Sequence, residues 1–136
     1  MGFTSHSRED NTNTLTIEKK NSFTVINPKT CSFNIVVKQV SCGLNHSHLV
    51  TRDGFLYSMG SNEDGKLGVG QSPKDLAFST SPRLVESLRG VKTVASGLNH
   101  SLAIGKDSKT STVKVYGWGQ AEYGAIGMRL QNSYDP

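Results

Sequence analysis

A five-residue word, Gly-Leu-Asn-His-Ser, occurs twice in this chain, at residues 43–47 and again at residues 97–101. The two copies lie 54 residues apart, and flanking residues such as Val40 and Val94 match at the same spacing. A repeated word with matching flanks indicates that a unit was duplicated within the chain. The 136 residues have room for two such units and a short extension.

The glycine-rich segment after each word is duplicated as well. Segment 57–60 corresponds to segment 116–119, and the glycines that follow also match, at a spacing of 59 residues. The longer spacing is due to extra residues in the polar stretch 106–112, whose Lys, Asp, Ser and Thr residues suit a loop. Duplicated motifs around a variable loop are typical of a repeat protein.

Each unit has the pattern of short β-strands separated by glycine turns. Arg52-Asp53-Gly54 predicts a hairpin turn, and Arg83-Leu84-Val85 is a candidate outer strand because Pro82 cannot donate to a central ladder. A period near 50 residues, with about four strands per repeat, is typical of a propeller blade. We therefore predict an all-β fold, a partial β-propeller of about two blades of short antiparallel strands. The predicted strands are 37–42, 46–51 and 55–59 in the first unit, and 91–95, 100–104 and 113–118 in the second.

The repeats divide the chain into three parts. Residues 1–22 are a polar extension with balanced charge, which we predict to be flexible or ordered by a partner. Residues 23–81 are predicted to form the first propeller repeat. Residues 82–136 are predicted to form the second repeat, which is truncated.

The residues around both words resemble a known family. The first copy continues as Asp-Gly-x-x-Tyr-Ser-x-Gly-Ser-Asn-x-x-Gly-x-Leu-Gly-x-Gly at 53–70, and the second ends as Val-Tyr-Gly-Trp-Gly-Gln-x-x-x-Gly-x-Ile-Gly at 115–127. These segments are similar to the repeats of the regulator of chromosome condensation family, over about residues 28–130. The resemblance implies a seven-bladed β-propeller used as a binding platform. Some members are nucleotide exchange factors for small GTPases, and others bind chromatin or other proteins.

We predict a structural role for the residues that the repeat fixes. The glycines allow tight turns and close approach of backbones. His46 and His100 are expected to hydrogen-bond the backbone of a neighbouring turn, assisted by the adjacent hydroxyls of Ser47 and Ser101. Trp118 is expected to pack one blade against the next. The full predicted motif is Gly43, His46, Gly60, Gly65, Gly68, Gly97, His100, Trp118, Gly119, Gly124 and Gly127.

The segment Gly60–Lys66 is a near match to the phosphate-binding loop Gly-x4-Gly-Lys-(Ser/Thr). However, Leu67 stands where that loop needs a hydroxyl, and two acidic residues inside the segment would repel phosphate. The second repeat also has Ala125 in place of the lysine. We interpret the segment as a turn between strands, and we expect no cofactor.

A metal site and a catalytic pair can also be imagined around the first word. His46 and His48 would share one face of a strand near Cys42, but the second repeat has Leu102 in place of the second histidine. Ser47 follows His46 directly, and adjacent residues on a strand point to opposite faces. We therefore predict neither a metal site nor catalytic residues.

Charge and cysteine content narrow the possible partners. The 15 Lys and Arg residues exceed the 11 Asp and Glu residues by 4, and they are scattered among acidic neighbours, so nucleic acid is a disfavoured partner. The sequence has no apolar run or signal segment that predicts membrane association. We predict an intracellular location, with cytoplasm, including the cytoskeleton, favoured over nucleus. Cys31 and Cys42 are then expected to be reduced and buried.

Two blades cannot close a ring, and their free edges and faces invite partners. We predict a non-catalytic protein–protein interaction or scaffold module within a larger assembly. Other protein chains would complete or cap the open blades through strand edges, blade faces and the loops 71–81 and 105–112. The alternative is a fragment of a guanine nucleotide exchange factor, with a small GTPase as partner.

Overall fold

The structure, a computed structural model, describes residues 35–127. This part of the chain forms seven β-strands in two antiparallel sheets and contains no α-helix, so the all-β prediction is confirmed. The first sheet has the order β1-β2-β3-β4, and the second has the order β5-β6-β7. The strands are β1 Val37–Cys42, β2 His46–Thr51, β3 Leu56–Ser61, β4 Phe78–Leu84, β5 Leu88–Ser96, β6 His100–Asp107 and β7 Val113–Gly119.

One 3-10 turn follows the third strand of each unit. The turn after β3 is Glu63–Gly65, and the turn after β7 is Glu122–Gly124. The turn between β2 and β3 lies at the predicted Arg52-Asp53-Gly54 segment. There the amide of Phe55 donates to Thr51 Oγ1 at 3.0 Å, which adds a side-chain closure to the backbone hairpin. The local sequence therefore accounts for the tight connections within each sheet.

The outer strand of the first sheet differs from its prediction. β4 runs from Phe78 to Leu84 and pairs with β3, so it is longer than the predicted segment 83–85 and absorbs part of the predicted loop 71–81. The physical reason is that the outer edge of β3 has backbone groups that need partners. Pro82 is tolerated because β4 is an edge strand.

Several predictions fall partly or wholly outside the described residues. They concern the extension 1–22, the start of the first repeat and the last residues of the second. The division between repeats at residues 81 and 82 stays a prediction, and that point of the chain lies inside β4. β6 extends to Asp107, so the predicted loop 105–112 is shortened to 108–112.

The two sheets stack face to face over one apolar core. Within each strand, alternate residues point to opposite faces, so each sheet has an inner face against the other sheet and an outer face away from it. On β2, the inner positions are His46, His48 and Val50, all of them buried. The buried core consists of Val50, Leu56, Val85, Leu88, Val91, Val94 and Ala103, with Val69, Tyr116 and Trp118 packed against it.

Cys42 lies on the outer face of the first sheet, opposite Ser47 of β2. It is exposed and free, so the prediction of a buried cysteine is wrong at this position. The reason is register, since the inner positions of β1 are Gln39 and Ser41. Cys31 lies outside the described residues.

Among residues 35–127, no helix is long and apolar enough to cross a membrane.

Candidate interaction surface

A chain of hydrogen bonds crosses from the first sheet to the second. Ser101 of β6 is fully buried, and its Oγ lies 3.0 Å from Nε2 of His46 and 2.8 Å from Nε2 of His48. Nδ1 of His48 lies 2.8 Å from Oγ of Ser58 on β3. The Ser101 hydroxyl has only one proton to donate, so at least one of the two imidazoles must donate its own N–H to the hydroxyl oxygen.

Both histidines are held in the neutral form. Burial, together with the nearby His46, lowers the pKa of His48 from 6.5 to about 3. Burial and the charge of Lys66 lower the pKa of His46, while the backbone of His100 acts in the opposite direction. A neutral imidazole can donate at one nitrogen and accept at the other, which is what the two hydroxyl partners of His48, Ser58 and Ser101, require.

The rings of His46 and His48 are edge to face, with centroids 5.3 Å apart. Each has a nitrogen at hydrogen-bond distance from a hydroxyl rather than aimed into an open space. Within the described part of the chain, no three side chains of His, Cys, Asp or Glu gather where they could hold a metal ion. The histidine pair is therefore a structural connection between the sheets.

Trp118 of β7 is seated on the loop that follows β3. Its Nε1 donates to the carbonyl oxygen of Lys66 at 2.8 Å, and its ring meets the His48 ring edge to face at 5.3 Å. Gly68 leaves room for the indole, because a Cβ at this position would lie 2.9 Å from Nε1. Trp118 thus connects the second sheet to the first.

The loop after β3 is organised by a residue that the sequence analysis did not single out. The Asn62 side chain donates to the carbonyl oxygens of Gln71 at 3.0 Å and Leu76 at 2.9 Å, and its Oδ1 accepts from the amide of Leu67 at 3.3 Å. The second repeat has Ala121 at the matching position, so the duplication gave no signal for Asn62.

Lys66 also differs from what a phosphate loop requires. The residue is only 1% exposed, and its Nζ lies 4.0 Å from the exposed carboxylate of Glu63. A lysine that serves phosphate has to present its ammonium group to an open cradle. The backbone carbonyl of Lys66 instead accepts the Trp118 hydrogen bond, which supports the interpretation of this segment as a structural turn.

Side chains of β1 form hydrogen bonds with backbone groups of the edge strand β5. Gln39 Nε2 donates to the Val94 carbonyl at 2.7 Å, and the Val94 amide donates to Gln39 Oε1 at 3.2 Å. The amide of Ser96 donates to Ser41 Oγ at 2.8 Å. The second repeat has Thr93 and Ala95 at the matching positions, so this connection could be found only in the structure.

The predicted glycines lie where strands end or in the segments that directly follow them. Gly60 and Gly119 have φ of 102° and 97°, and a Cβ on Gly119 would lie 2.6 Å from the carbonyl oxygen of Asn99. Gly43 and Gly97 lie against the rings of His46 and His100 respectively. The other predicted glycines have positive φ in the segments after β3 and β7, namely Gly65, Gly68, Gly124 and Gly127.

The outer face of the second sheet carries the repeat counterparts of the inner face of the first sheet. The register places His100, Leu102 and Ile104 of β6 on this outer face, beside Val115 of β7. Val115 is 69% exposed, whereas Leu56, its counterpart on the inner face, is 0% exposed. We call this surface the open face. The matched pairs are His46 with His100, His48 with Leu102, Val50 with Ile104, Leu56 with Val115, Ser58 with Gly117 and Leu67 with Ile126.

This arrangement of paired sheets and glycine-ended strands agrees with two sequence models of the regulator of chromosome condensation (RCC1) repeat. One matches residues 53–104 and the other matches residues 37–66. The chain belongs to the RCC1 repeat family. The RCC1 repeats therefore include β1 to β6 and the hydrogen-bonded histidines between the sheets.

Two curated relatives match this chain over nearly the same length. The ultraviolet-B receptor UVR8 of Arabidopsis thaliana is 34% identical over 96 residues, which are 69% of this chain and 20% of the receptor. The probable E3 ubiquitin-protein ligase HERC6 of Homo sapiens is 34% identical over 96 residues, which are 69% of this chain and 9% of that protein. The chain therefore spans a fifth or less of the length of these relatives.

The yeast RCC1 protein, Prp20, shows the same similarity in three dimensions. Its structure bound to Kap60 matches with a TM-score of 0.60 and 26% identity, over 75% of this chain and 24% of that chain. Prp20p of Saccharomyces cerevisiae was also solved with a description of its binding to Gsp1p and histones, and it matches with a TM-score of 0.58. The prediction of a partial β-propeller is confirmed.

Proposed function

We propose that this chain is a non-catalytic protein interaction module within a larger assembly. The observation that carries the proposal is the open face, on which the exposed Ile104, Val113 and Val115 lie together. Their counterparts on the first sheet include Val50 and Leu56, which are fully covered by the second sheet. Among residues 35–127 no element covers this sheet face, whose counterpart is buried, and an exposed apolar face of this kind supports a binding surface for protein.

The reactive side chains support a binding role rather than an enzymatic one. Ser101, His46 and His48 are the residues that a nucleophile and its base would require, and all three are buried between the sheets. They hydrogen-bond one another and Ser58, so no substrate can reach them without separating the sheets. We therefore propose that the described RCC1 repeats have no catalytic activity of their own.

Protein is the partner class that the open face favours. The exposed Ile104, Val113 and Val115 form an aliphatic group on this face, which suits an apolar protein surface. Lys106, which pairs with Val113, is an exposed cation at one end of this group, and the apolar side chains at its centre favour protein over the phosphates of a nucleic acid. Chains that complete or cap the blades therefore remain the proposed partners. An intracellular location, with cytoplasm favoured over nucleus, stays a prediction that imaging of a tagged chain in its native cells would test.

Photo-cross-linking tests the proposed function. We would place the photoreactive residue p-benzoylphenylalanine at Val115 on the open face and, as a control, at Lys109 in the loop between β6 and β7, in cells of the source organism. We expect covalent adducts with another protein at Val115 and none at Lys109. Equal labelling at both positions, or none at either, would count against the open face as the binding surface.

A second candidate is a fragment of a guanine nucleotide exchange factor that acts on a small GTPase. The similarity to Prp20p, described with its binding to Gsp1p, favours this candidate. The chain covers 24% of the Prp20 chain, however, so it would contribute only part of such a binding surface. Release of labelled GDP from a panel of small GTPases tests it. Faster GDP release with the purified chain would favour the exchange factor, whereas an unchanged rate of release would favour the interaction module.

A further inference from the structure

We propose that the open face is covered by the first sheet of a second copy of this chain, so that copies associate head to tail. This inference rests on the proposed function and names its partner. The occupying surface is the outer face of the first sheet, which lies on the opposite side of the molecule from the open face.

The outer face of the first sheet repeats the surface that already packs inside the molecule. Its residues are the repeat counterparts of the inner face of the second sheet. Val94 is 2% exposed in the internal interface, whereas its counterpart Val40 is 63% exposed. The pairs are Val37 with Val91, Val40 with Val94, Ser47 with Ser101, Leu49 with Ala103, Tyr57 with Tyr116 and Met59 with Trp118.

The chain therefore carries both halves of one interface. On the outer face of the first sheet, Val37 and Val40 are 43% and 63% exposed, whereas Tyr57 is 7% exposed, so the two valines are the members that a second copy can reach. The residues of the open face match those of the inner face of the first sheet. The residues of the outer face of the first sheet match those of the inner face of the second sheet. Two copies that meet through these surfaces reproduce the packing that holds the two sheets together within one copy. This continuity with an existing interface argues for a second copy as the occupant.

The hydrogen bond at the centre of the internal interface has a counterpart between copies. Ser101 meets His46 at 3.0 Å within the molecule, so Ser47 of one copy would meet His100 of the next. Ser47 Oγ donates to Cys42 Sγ at 3.4 Å and keeps its oxygen lone pairs for an imidazole N–H. The pairing of Ser47 with His100 is the specific contact that the proposal requires.

The contact between copies should be weaker than the internal one. Gln39, which pairs with the Val94 backbone, is replaced on the open face by Thr93, and Met59 replaces Trp118. Leu102 in place of His48 makes the centre of the contact more apolar. We therefore expect an association that depends on protein concentration.

The proposed contact joins two different surfaces, so it is heterologous and either closes into a ring or grows. Propellers close with about four to eight blades, and copies that each supply two blades would close a ring with about two to four copies. A copy that has lost one of its two surfaces can still bind through the other. This asymmetry makes the proposal testable with two variants and their mixture.

The experiment measures mass by light scattering for purified residues 1–136 and three variants. Val115→Glu blocks the open face, Val40→Glu blocks the outer face of the first sheet, and Lys109→Glu is the control in an exposed loop. All three positions are exposed, so the variants keep the internal core. We expect multiple copies for the wild-type chain and the control, and monomers for each valine variant.

The mixture of the two valine variants gives the sharpest outcome. We expect a dimer and nothing larger, because only one intact pair of surfaces remains. A monomeric wild-type chain, a mixture that stays monomeric, or assembly that persists in both variants would overturn the proposal. A monomeric chain whose Val115 position still cross-links to another protein in cells would overturn only this inference and leave the proposed function standing.

Discussion

The indole Nε1 of Trp118 donates a hydrogen bond to the backbone carbonyl of Lys66, across the boundary between the two sheets. The two residues are 52 positions apart in the chain. The contact joins the third strand of one repeat to the loop of the other, so it reports on the packing between repeats rather than on either sheet alone. Trp118 is also the only tryptophan, which makes its fluorescence a probe of this boundary.

Trp118→Phe should destabilise the chain while keeping an aromatic ring in place. The Lys66 carbonyl loses its donor, and an unpaired buried polar group of this kind costs about 1–3 kcal/mol. The free energy of unfolding in urea would measure the loss. Tyr123→Phe is the control, because Tyr123 is fully exposed and should change stability little. Equal effects of the two substitutions would contradict a role for the Trp118 hydrogen bond.

Ser101→Ala tests the hydroxyl that two imidazoles share. The substitution leaves Nε2 of both His46 and His48 without this partner in a buried site, and we expect a loss of about 1–3 kcal/mol. The matched control is Ser47→Ala at the same repeat position, where the hydroxyl meets Cys42 within one copy. Both substitutions are made in the Val115→Glu chain, which removes the proposed contact between Ser47 and a second copy. We expect that control to change the unfolding free energy by less than about 0.5 kcal/mol. A larger effect at Ser47 than at Ser101 would contradict the cross-sheet network.

The fold could be predicted from sequence because its determinants are local and occur twice. The repeated word at 43–47 and 97–101 places the turn before β2 and β6, and Arg52-Asp53-Gly54 closes the next hairpin. Glycine punctuation and alternating apolar residues fix the strand boundaries to within a few residues. The longer β4 was missed because its pairing with β3 depends on a distant edge rather than on its own residues.

The contacts between the sheets could be predicted only in part. The repeat drew attention to His46 and Trp118. The sequence analysis expected a backbone partner for His46 with the Ser101 hydroxyl assisting, but it did not predict that this hydroxyl joins His46 to His48. Gln39 and Asn62 were missed because the second repeat does not match them. Such contacts depend on how two sheets are stacked, and strand periodicity within each sheet does not specify that stacking.

Acidification should destabilise the chain through His48. Its folded-state pKa of about 3 lies below the unfolded value of 6.5, so the unfolded chain binds more protons between these two values. Stability is therefore full above pH 6.5 and falls as pH decreases towards 3, with a slope of about 1.4 kcal/mol per pH unit from this one residue. Urea unfolding at a series of pH values measures the slope.

His48→Leu provides the control for that slope, because leucine is the residue that the second repeat has at the matching position, Leu102. The variant loses hydrogen bonds to Ser58 and Ser101, so its absolute stability should change. Its dependence on pH should become shallower, since only His46 and the other groups still titrate. An unchanged slope would show that His48 does not set the acid sensitivity.

Gly68 and Gly127 occupy matching repeat positions, and the structure separates two reasons why glycine is needed there. Both have positive φ, 65° and 72°, so alanine at either position incurs backbone strain of about 1 kcal/mol. Only at Gly68 would the new Cβ also approach the indole, at 2.9 Å from Nε1, whereas no described atom lies within 4 Å of a Cβ at Gly127. The two substitutions should therefore differ.

Gly68→Ala should destabilise the chain more than Gly127→Ala, and only Gly68→Ala should shift the Trp118 emission. The added methyl group displaces the indole from the Lys66 carbonyl and admits water to the ring, whereas the change at Gly127 leaves the indole where it is. Urea unfolding followed by tryptophan fluorescence measures both effects in one experiment. Similar losses of stability with unchanged emission in both variants would mean that backbone strain alone explains why glycine is needed at positions 68 and 127. In that case Gly68 would have no special part in seating Trp118 between the repeats.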